Sequence, residues 1–250
     1  MQKCRVTTLA GRRAIVTGAA GALGQVIAER LAAEGAAVAG LDLNAEGLSA
    51  LAGKVDGLAE PVDLTDFDAV QQAVGRIVEK WGGVDVLVNG AGGGAVSWFH
   101  EMTPETWSVQ LDRNLTSVFN VTRAVLPSML EQRYGRIINI ASIAAISGGR
   151  LVRGATAYAA AKAGVVGLTK ALAIEVAEQG VTVNCIAPGA QATPGRDRDT
   201  PDRREALLNQ IPTRLLGEPE HLARTIAFLA GPAAVNITGV ILPLDGGHSI

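Results

Sequence analysis

Two cysteines, three histidines, little net charge and no long apolar run set the first limits on this 250-residue chain. Cys4 and Cys185 lie in unlike contexts, and Cys185 falls in an apolar, β-rich run where a buried free thiol is expected. Two such cysteines exclude a disulfide framework. His100, His221 and His248 are too scattered for a ligand spacing, so no metal site is expected. The formal net charge is -2 and the pI about 6.0. That removes the electrostatic case for nucleic acid or an anionic membrane as partner and leaves a small molecule. No apolar stretch approaches the roughly 20 residues of a membrane span. The opening Met1-Gln2-Lys3-Cys4-Arg5-Val6 has no secretory apolar segment, so a cytoplasmic location is the default expectation.

The chain is 48% hydrophobic, 18% charged and carries 30 glycines. At this length one large α/β domain over 1–250 is expected rather than two small ones. Short β-rich apolar runs at 13–17, 36–41, 57–62, 84–89, 136–141, 181–187 and 240–244 alternate with helical patterns. The helices are expected at 22–34, 45–52, 66–81, 104–131, 155–179 and 218–230. Gly35, Gly82 and Gly180 stand just past helix ends, where a left-handed residue is wanted. The alternation implies a parallel sheet covered on both faces: a doubly wound, Rossmann-type sheet of about seven strands. The one irregular stretch starts at Gly189 and includes a short helix at 202–210. A long loop in a compact domain is usually functional, which makes 189–212 the expected substrate loop.

The first strand runs straight into Gly18-Ala19-Ala20-Gly21-Ala22-Leu23-Gly24 and then a helix. Glycines there permit a tight turn and let backbone N–H groups approach a pyrophosphate at a helix N-terminus. Asp42 follows the second strand, 18 residues after Gly24. A carboxylate at that point accepts hydrogen bonds from an adenosine ribose and repels a 2′-phosphate, so NAD is expected over NADP. Asp63-Leu64 ends the third strand, where the carboxylate can meet an adenine amino group. Asn89-Gly90-Ala91-Gly92 ends the fourth. All lie at carboxyl ends of strands, where open α/β sheets bind ligands.

Tyr158 and Lys162 are four residues apart in a helical stretch and so share a face. A phenol beside an ammonium titrates nearer neutrality, because the cation favours the phenolate. Such a phenol is a general acid/base for a substrate oxygen.

In its order of motifs the chain resembles the short-chain dehydrogenase/reductase family in its compact single-domain form. The matching pieces are Thr17-Gly18 through Gly24, Asp63, Asn89-Gly90-Ala91-Gly92, Asn114, Ser142, Tyr158 with Lys162, Pro188-Gly189 through Thr193, and Asp245-Gly246-Gly247. Two places depart from the family's pattern: Ala22 stands where the middle glycine of the turn is usual, and Gly90 where a second asparagine is common. The resemblance implies a catalytic tetrad of Asn114, Ser142, Tyr158 and Lys162. In it Tyr158 exchanges a proton with the substrate oxygen and Ser142 holds that oxygen. Tyr158 and Lys162 are also implied as cofactor contacts: Lys162 tunes the phenol and binds the nicotinamide ribose, and Asn114 organises a water that feeds protons to Lys162. Pro188, Gly189 and Thr193 resemble the segment that anchors the carboxamide, with Gln191 replacing a common aliphatic residue. The family also implies a homotetramer built through the two long helices and the C-terminal strand.

The implied activity is hydride transfer between NAD(H) and a secondary alcohol or its ketone. Two alternatives stand beside it: an NADPH-dependent 3-oxoacyl reductase of the same family, and an NAD-binding regulator without chemistry. Substrate contacts are expected from 93–101, 143–155 and the loop after Gly189. Trp98 is a candidate apolar wall. Arg150 and Arg153, between Ser142 and Tyr158, are candidates to clamp an anionic substrate group. Arg196, Arg198, Arg203 and Arg204 in the later loop are interleaved with acids and rank below them.

Overall fold

The computed structural model describes residues 8–148 and 153–250. Seven parallel strands form one sheet in the order β3-β2-β1-β4-β5-β6-β7. They are β1 (Arg13–Thr17), β2 (Ala37–Asp42), β3 (Leu58–Pro61), β4 (Val86–Asn89), β5 (Gly135–Ile140), β6 (Val181–Pro188) and β7 (Ile241–Leu244). Every residue of β4, β5 and β6 is buried. This explains their unbroken apolar runs, since a parallel strand is covered on both faces. One face is packed by α1 (Ala22–Ala33) and α9 (Pro219–Ala230), with α2 (Ala45–Val55) beside them. The other is packed by α3 (Phe67–Trp81), α5 (Ser117–Glu131) and α7 (Thr156–Val176), the last preceded by the one-turn α6 (Ala144–Ser147). The fold is the expected doubly wound Rossmann-type sheet with helices on both faces.

Local chemistry accounts for the helix ends. Asn44, Asp66 and Thr103 each cap a helix by accepting a backbone N–H from the residue three positions on: Gly47, Ala69 and Thr106. Gly35, Gly82 and Gly180 adopt positive φ of 94°, 74° and 76°, as expected past helix ends.

One expected helix is three pieces. The run 104–131 divides into α4 (Pro104–Leu111), a π-helical segment at Asp112–Thr116, and α5. No Gly or Pro marks the break. The break sits where Asn114 turns inward, and π segments of this kind are frequent at functional sites. The irregular stretch after β6 holds a 3-10 turn at Pro194–Arg198 and α8 (Pro201–Leu208). No helix among the described residues is long and apolar enough to cross a membrane.

The strand order reverses between β1 and β4, and a crevice opens there at their carboxyl ends. Thr17 Oγ1 joins the two strand ends by accepting from Gly90 N at 3.0 Å and Ala91 N at 3.1 Å. Gly18 is obligatory at this junction: its φ is 67°, and a Cβ would come within 2.8 Å of Ala91 Cα.

Candidate active site

A cleft of about 490 Å³ occupies that crevice. Gly18, Gly21, Ala22, Leu23 and Gly24 form one wall, and Asp42, Asp63, Leu64, Gly90, Ala91 and Thr193 also line it. Ala22, where the family pattern has glycine, is exposed on the cleft wall. The N-terminus of α1 points at the cleft with no side-chain cap at Gly21 and no acidic residue in its first turn. The positive end of a 12-residue helix is thereby left open to an anion. Asp42 is held by two backbone donors, Ala20 N at 3.1 Å and Asn44 N at 3.0 Å. Its carboxylate thus braces the glycine-rich turn while facing the cleft. Asp63 accepts from the backbone and hydroxyl of Thr65, and these bonds hold its carboxyl below the usual range, helped by Arg113.

Behind the cleft the four expected tetrad residues converge. Asn114, fully buried in the π segment, clamps the backbone after β4. Its Oδ1 accepts from Gly93 N at 3.0 Å, and its Nδ2 donates to Gly93 O at 3.0 Å and Gln110 O at 2.9 Å. A Cβ on Gly92 would fall 2.5 Å from Asn114 Oδ1 and 3.3 Å from Lys162 Nζ, so only glycine fits between them. Lys162 is buried, with Nζ donating to Ile140 O at 2.8 Å and lying 5.9 Å from the Tyr158 ring centroid. Ser142, just past β5, hydrogen-bonds the Tyr158 phenol and accepts from Ala144 N at 3.1 Å.

The titration of this group differs from the sequence expectation. Lys162 was expected to pull the Tyr158 pKa down. Instead burial raises it, and the Ser142 bond only partly offsets that. The Lys162 ammonium is desolvated as well: burial lowers it to about 8, with Cys185 acting the other way. The Cys185 thiol is in turn pushed up to about 11 by its burial. Packing, which the spacing of two residues does not encode, decides the direction.

A second cavity of about 300 Å³ adjoins the first. Ser142 and Tyr158 line it, and Ile143, Ala144, Val96 and Leu207 give it apolar walls.

A profile of the family described as enoyl-(acyl carrier protein) reductase matches residues 18–249. The chain is a short-chain dehydrogenase/reductase. Its similar relatives in this family include the 3-oxoacyl-(acyl-carrier-protein) reductase FabG of Thermotoga maritima, 39% identical over 244 residues, covering 96% of this chain and 98% of that one. The FabG of Vibrio cholerae is 41% identical over 241 residues, with coverages of 96% and 98%. Among solved structures, a candidate gluconate dehydrogenase from Agrobacterium tumefaciens superposes with a TM-score of 0.90 at 31% identity, covering 98% of both chains. A candidate short-chain alcohol dehydrogenase from Sinorhizobium meliloti 1021 gives 0.91 at 33%, covering 97% and 98%.

Short-chain dehydrogenase/reductases use a nicotinamide dinucleotide, and the first cleft fits one. Its uncapped helix terminus suits the pyrophosphate, and Gly18 and Gly21 leave the wall low.

Several expected residues sit elsewhere. Asn89 is buried behind the cleft, donating to Thr122 Oγ1 at 3.0 Å and Asn139 Oδ1 at 2.9 Å, so it braces β4 rather than lining the site. Pro188 and Gly189 line the second cavity, not the cofactor cleft. Trp98 is 51% exposed and lines neither cavity: Gly94, Ala95 and Val96 reach the second cavity, but residues 98–101 are exposed on the surface. Arg153 is also exposed and outside both linings. Arg150 lies outside the described residues.

Sequence reasoning overlooked Arg113 in the first cleft and Leu207 and His248 in the second, and it ranked Arg196 too low. Arg113 had a signal, since it precedes Asn114. His248 had none, because the C-terminal segment reaches the cavity only through the fold.

Proposed function

We propose that this oxidoreductase transfers a hydride between NAD(H) and a secondary alcohol or its ketone. The observation that carries the choice of cofactor is Asp42, a carboxylate on the cleft wall fixed by Ala20 N and Asn44 N. A 2′-phosphate beside it would be repelled. The only cation lining the cleft among the described residues is Arg113, at the Asp63 end.

Ser142 and Tyr158 present their hydroxyls to the second cavity, where a substrate oxygen can bond both. A bound nicotinamide supplies the hydride acceptor or donor. In oxidation the substrate hydroxyl proton passes to the Tyr158 phenolate as the hydride leaves the carbinol carbon, giving a ketone. In reduction the neutral phenol returns a proton to the carbonyl oxygen. Ser142 holds that oxygen as charge develops on it. Lys162 fixes the floor under Tyr158 through Ile140 O, and Asn114 keeps Gly92 and Gly93 against it.

A second reading is reduction of a 3-oxoacyl thioester with NADPH. The comparisons back it better than the first, since the FabG relatives are 39–41% identical over almost the whole chain. Both readings interconvert a ketone and a secondary alcohol. The alcohol and gluconate dehydrogenases among the structural neighbours support the first. Initial rates with NADH and NADPH on a ketone and on a 3-oxoacyl thioester separate them. NAD(H) preference that collapses in Asp42→Ala supports the first reading; NADPH preference with the thioester replaces it with the second.

We also infer a homotetramer, supported by Phe119 on α5 and Ile174 on α7, which are 52% and 81% exposed, and Val235 near β7, 64% exposed. Sedimentation equilibrium at low concentration should give about four times 25.7 kDa; a monomer mass refutes it.

A further inference from the structure

We propose that the substrate is a small hydroxy acid, or the matching oxo acid, whose carboxylate is anchored by Arg196. This rests on the reading of Ser142 and Tyr158 as the reacting end of the second cavity and names the class of molecule that fills it.

That cavity has a distinct charge pattern. Its described lining contains no Asp or Glu, and its one permanent charge is the Arg196 guanidinium. The rest is Gly, Ala, Val, Ile, Leu and Pro, apart from Ser142, Tyr158 and the imidazole of His248. Arg196 is half-buried in the 3-10 turn Pro194–Arg198, while the flanking Asp197 and Arg198 are exposed. The interleaved charges of this loop are therefore sorted by the fold: Arg196 faces the cavity and its neighbours face solvent.

The charge of Arg196 is not used up within the protein. Its Nη1 meets Asp199 Oδ2 at 3.2 Å, but Asp199 Oδ1 is shared with Arg203 Nε at 3.5 Å. Two guanidinium groups on one carboxylate leave the trio with an excess positive charge. Arg203 is the exposed partner, with 80% of its side chain accessible against 36% for Arg196. A planar guanidinium with N–H groups to spare, on an apolar wall, is suited to bidentate pairing with a carboxylate. The low polarity around it strengthens that pairing.

The size of the cavity sets the span between the reacting hydroxyls and the guanidinium. A sphere of 300 Å³ is about 8 Å across, so the anion and the reacting carbon are separated by only a few bonds. This suits hydroxy acids of about four to six carbons.

The test uses 2-, 3- and 4-hydroxypentanoate, each beside its methyl ester, with NAD and with NADP. Cyclohexanol serves as an uncharged reference. The wild-type enzyme should favour at least one acid over its ester by about 10- to 100-fold in kcat/KM, the range for a charged hydrogen-bonded pair. Arg196→Gln should erase that preference through KM for the acid and leave the ester and cyclohexanol within about twofold, as an independent site would. Arg196→Lys should restore part of it. Asp199→Asn, which frees the guanidinium, should raise kcat/KM for the acid alone. The proposal is overturned if no acid is preferred in the wild type. It is equally overturned if Arg196→Gln lowers acid and ester alike, or if Asp199→Asn lowers both, since the loop pair is then only a strut. Turnover of cyclohexanol or esters without acid preference defeats this inference alone. No turnover of any alcohol with either nucleotide defeats the proposed function as well.

Discussion

Replacing Lys162 by methionine should disable the enzyme and stabilise the fold at neutral pH. The ammonium is buried and rests on Ile140 O, and among the described residues no carboxylate pairs with it. Burial lowers its pKa from 10.5 to about 8. At 1.36 kcal/mol per pKa unit, holding the charged form in the folded state costs roughly 3 kcal/mol. Methionine has similar length and loses the bond to Ile140 O, worth about 1 kcal/mol. The net expectation is a gain of about 2 kcal/mol at pH 7, or a rise in Tm of about 4–8 °C for a chain of this size. The pH dependence gives the sharper check. Below pH 8 both folded and unfolded chains carry the proton, so the penalty is fully present and independent of pH. Between pH 8 and 10.5 only the unfolded chain holds it, so wild-type stability rises with pH. The variant lacks that rise, and its advantage should shrink and reverse by pH 10.5. Urea denaturation of both proteins at pH 7 and pH 10, without nucleotide, measures the gap, and titrations common to both cancel. A variant less stable at pH 7, or a gap unchanged with pH, would refute the reasoning. The same substitution should cut kcat by at least about a hundredfold, the scale of a lost acid–base device.

Other consequences are simpler to measure. Tyr158→Phe should lower kcat by about 10²–10⁴-fold and leave the calorimetric Kd for NAD within a factor of about three, because the phenol lines the second cavity and not the first. An unchanged kcat would remove Tyr158 from the chemistry and favour a non-catalytic regulator. Gly92→Ala should cost about 1–3 kcal/mol by chemical denaturation, since the new methyl must displace Asn114 or Lys162; a neutral result would mean that the loop moves freely. Because burial raises the Tyr158 pKa, oxidation, which needs the phenolate, should quicken steadily from pH 7 to 9. Reduction, which needs the neutral phenol, should stay flat over that range. Opposite slopes in initial-rate profiles would contradict the assignment.

The strands and the cofactor cleft were legible because their signals are local. Thr17-Gly18 through Gly24 must turn from β1 into α1, and a Cβ at 18 or 24 would collide with backbone, so the sequence carries the constraint directly. Asp42 is read in the same way, as the end of a buried strand. The π segment was hidden because Asp112–Thr116 contains no helix breaker and is periodic with its flanks. Arg153 and Arg196 are placed otherwise than expected for a related reason. Arg150 and Arg153 stood near Ser142 in sequence, while Arg196 stood among acids in a distant loop. Yet chain proximity places Arg153 in solvent, and the 3-10 turn at Pro194–Arg198 brings Arg196 to the cavity. Burial of Lys162, and with it the direction of two pKa shifts, belongs to packing across β5, β6 and α7 and has no signature in Tyr158-to-Lys162 spacing.

The π segment also separates two jobs that one straight helix would have to share. A π turn takes up more residues per turn than an α turn, so α5 leaves it rotated relative to α4. That phase offset lets Asn114 face Gly93 while Val118, Val121, Val125 and Met129 keep to the sheet side of α5. Removing one residue from Asp112–Thr116 would let the chain wind as a continuous α-helix, and a regular helix is the lower-energy form for such a segment. Either Asn114 or the α5 core stripe would then face the wrong way. A single-codon deletion here would thus leave a longer, more regular helix and a worse enzyme. The irregularity acts as a gear between the catalytic loop and the core, and it lets substitutions in either half accumulate without turning the other.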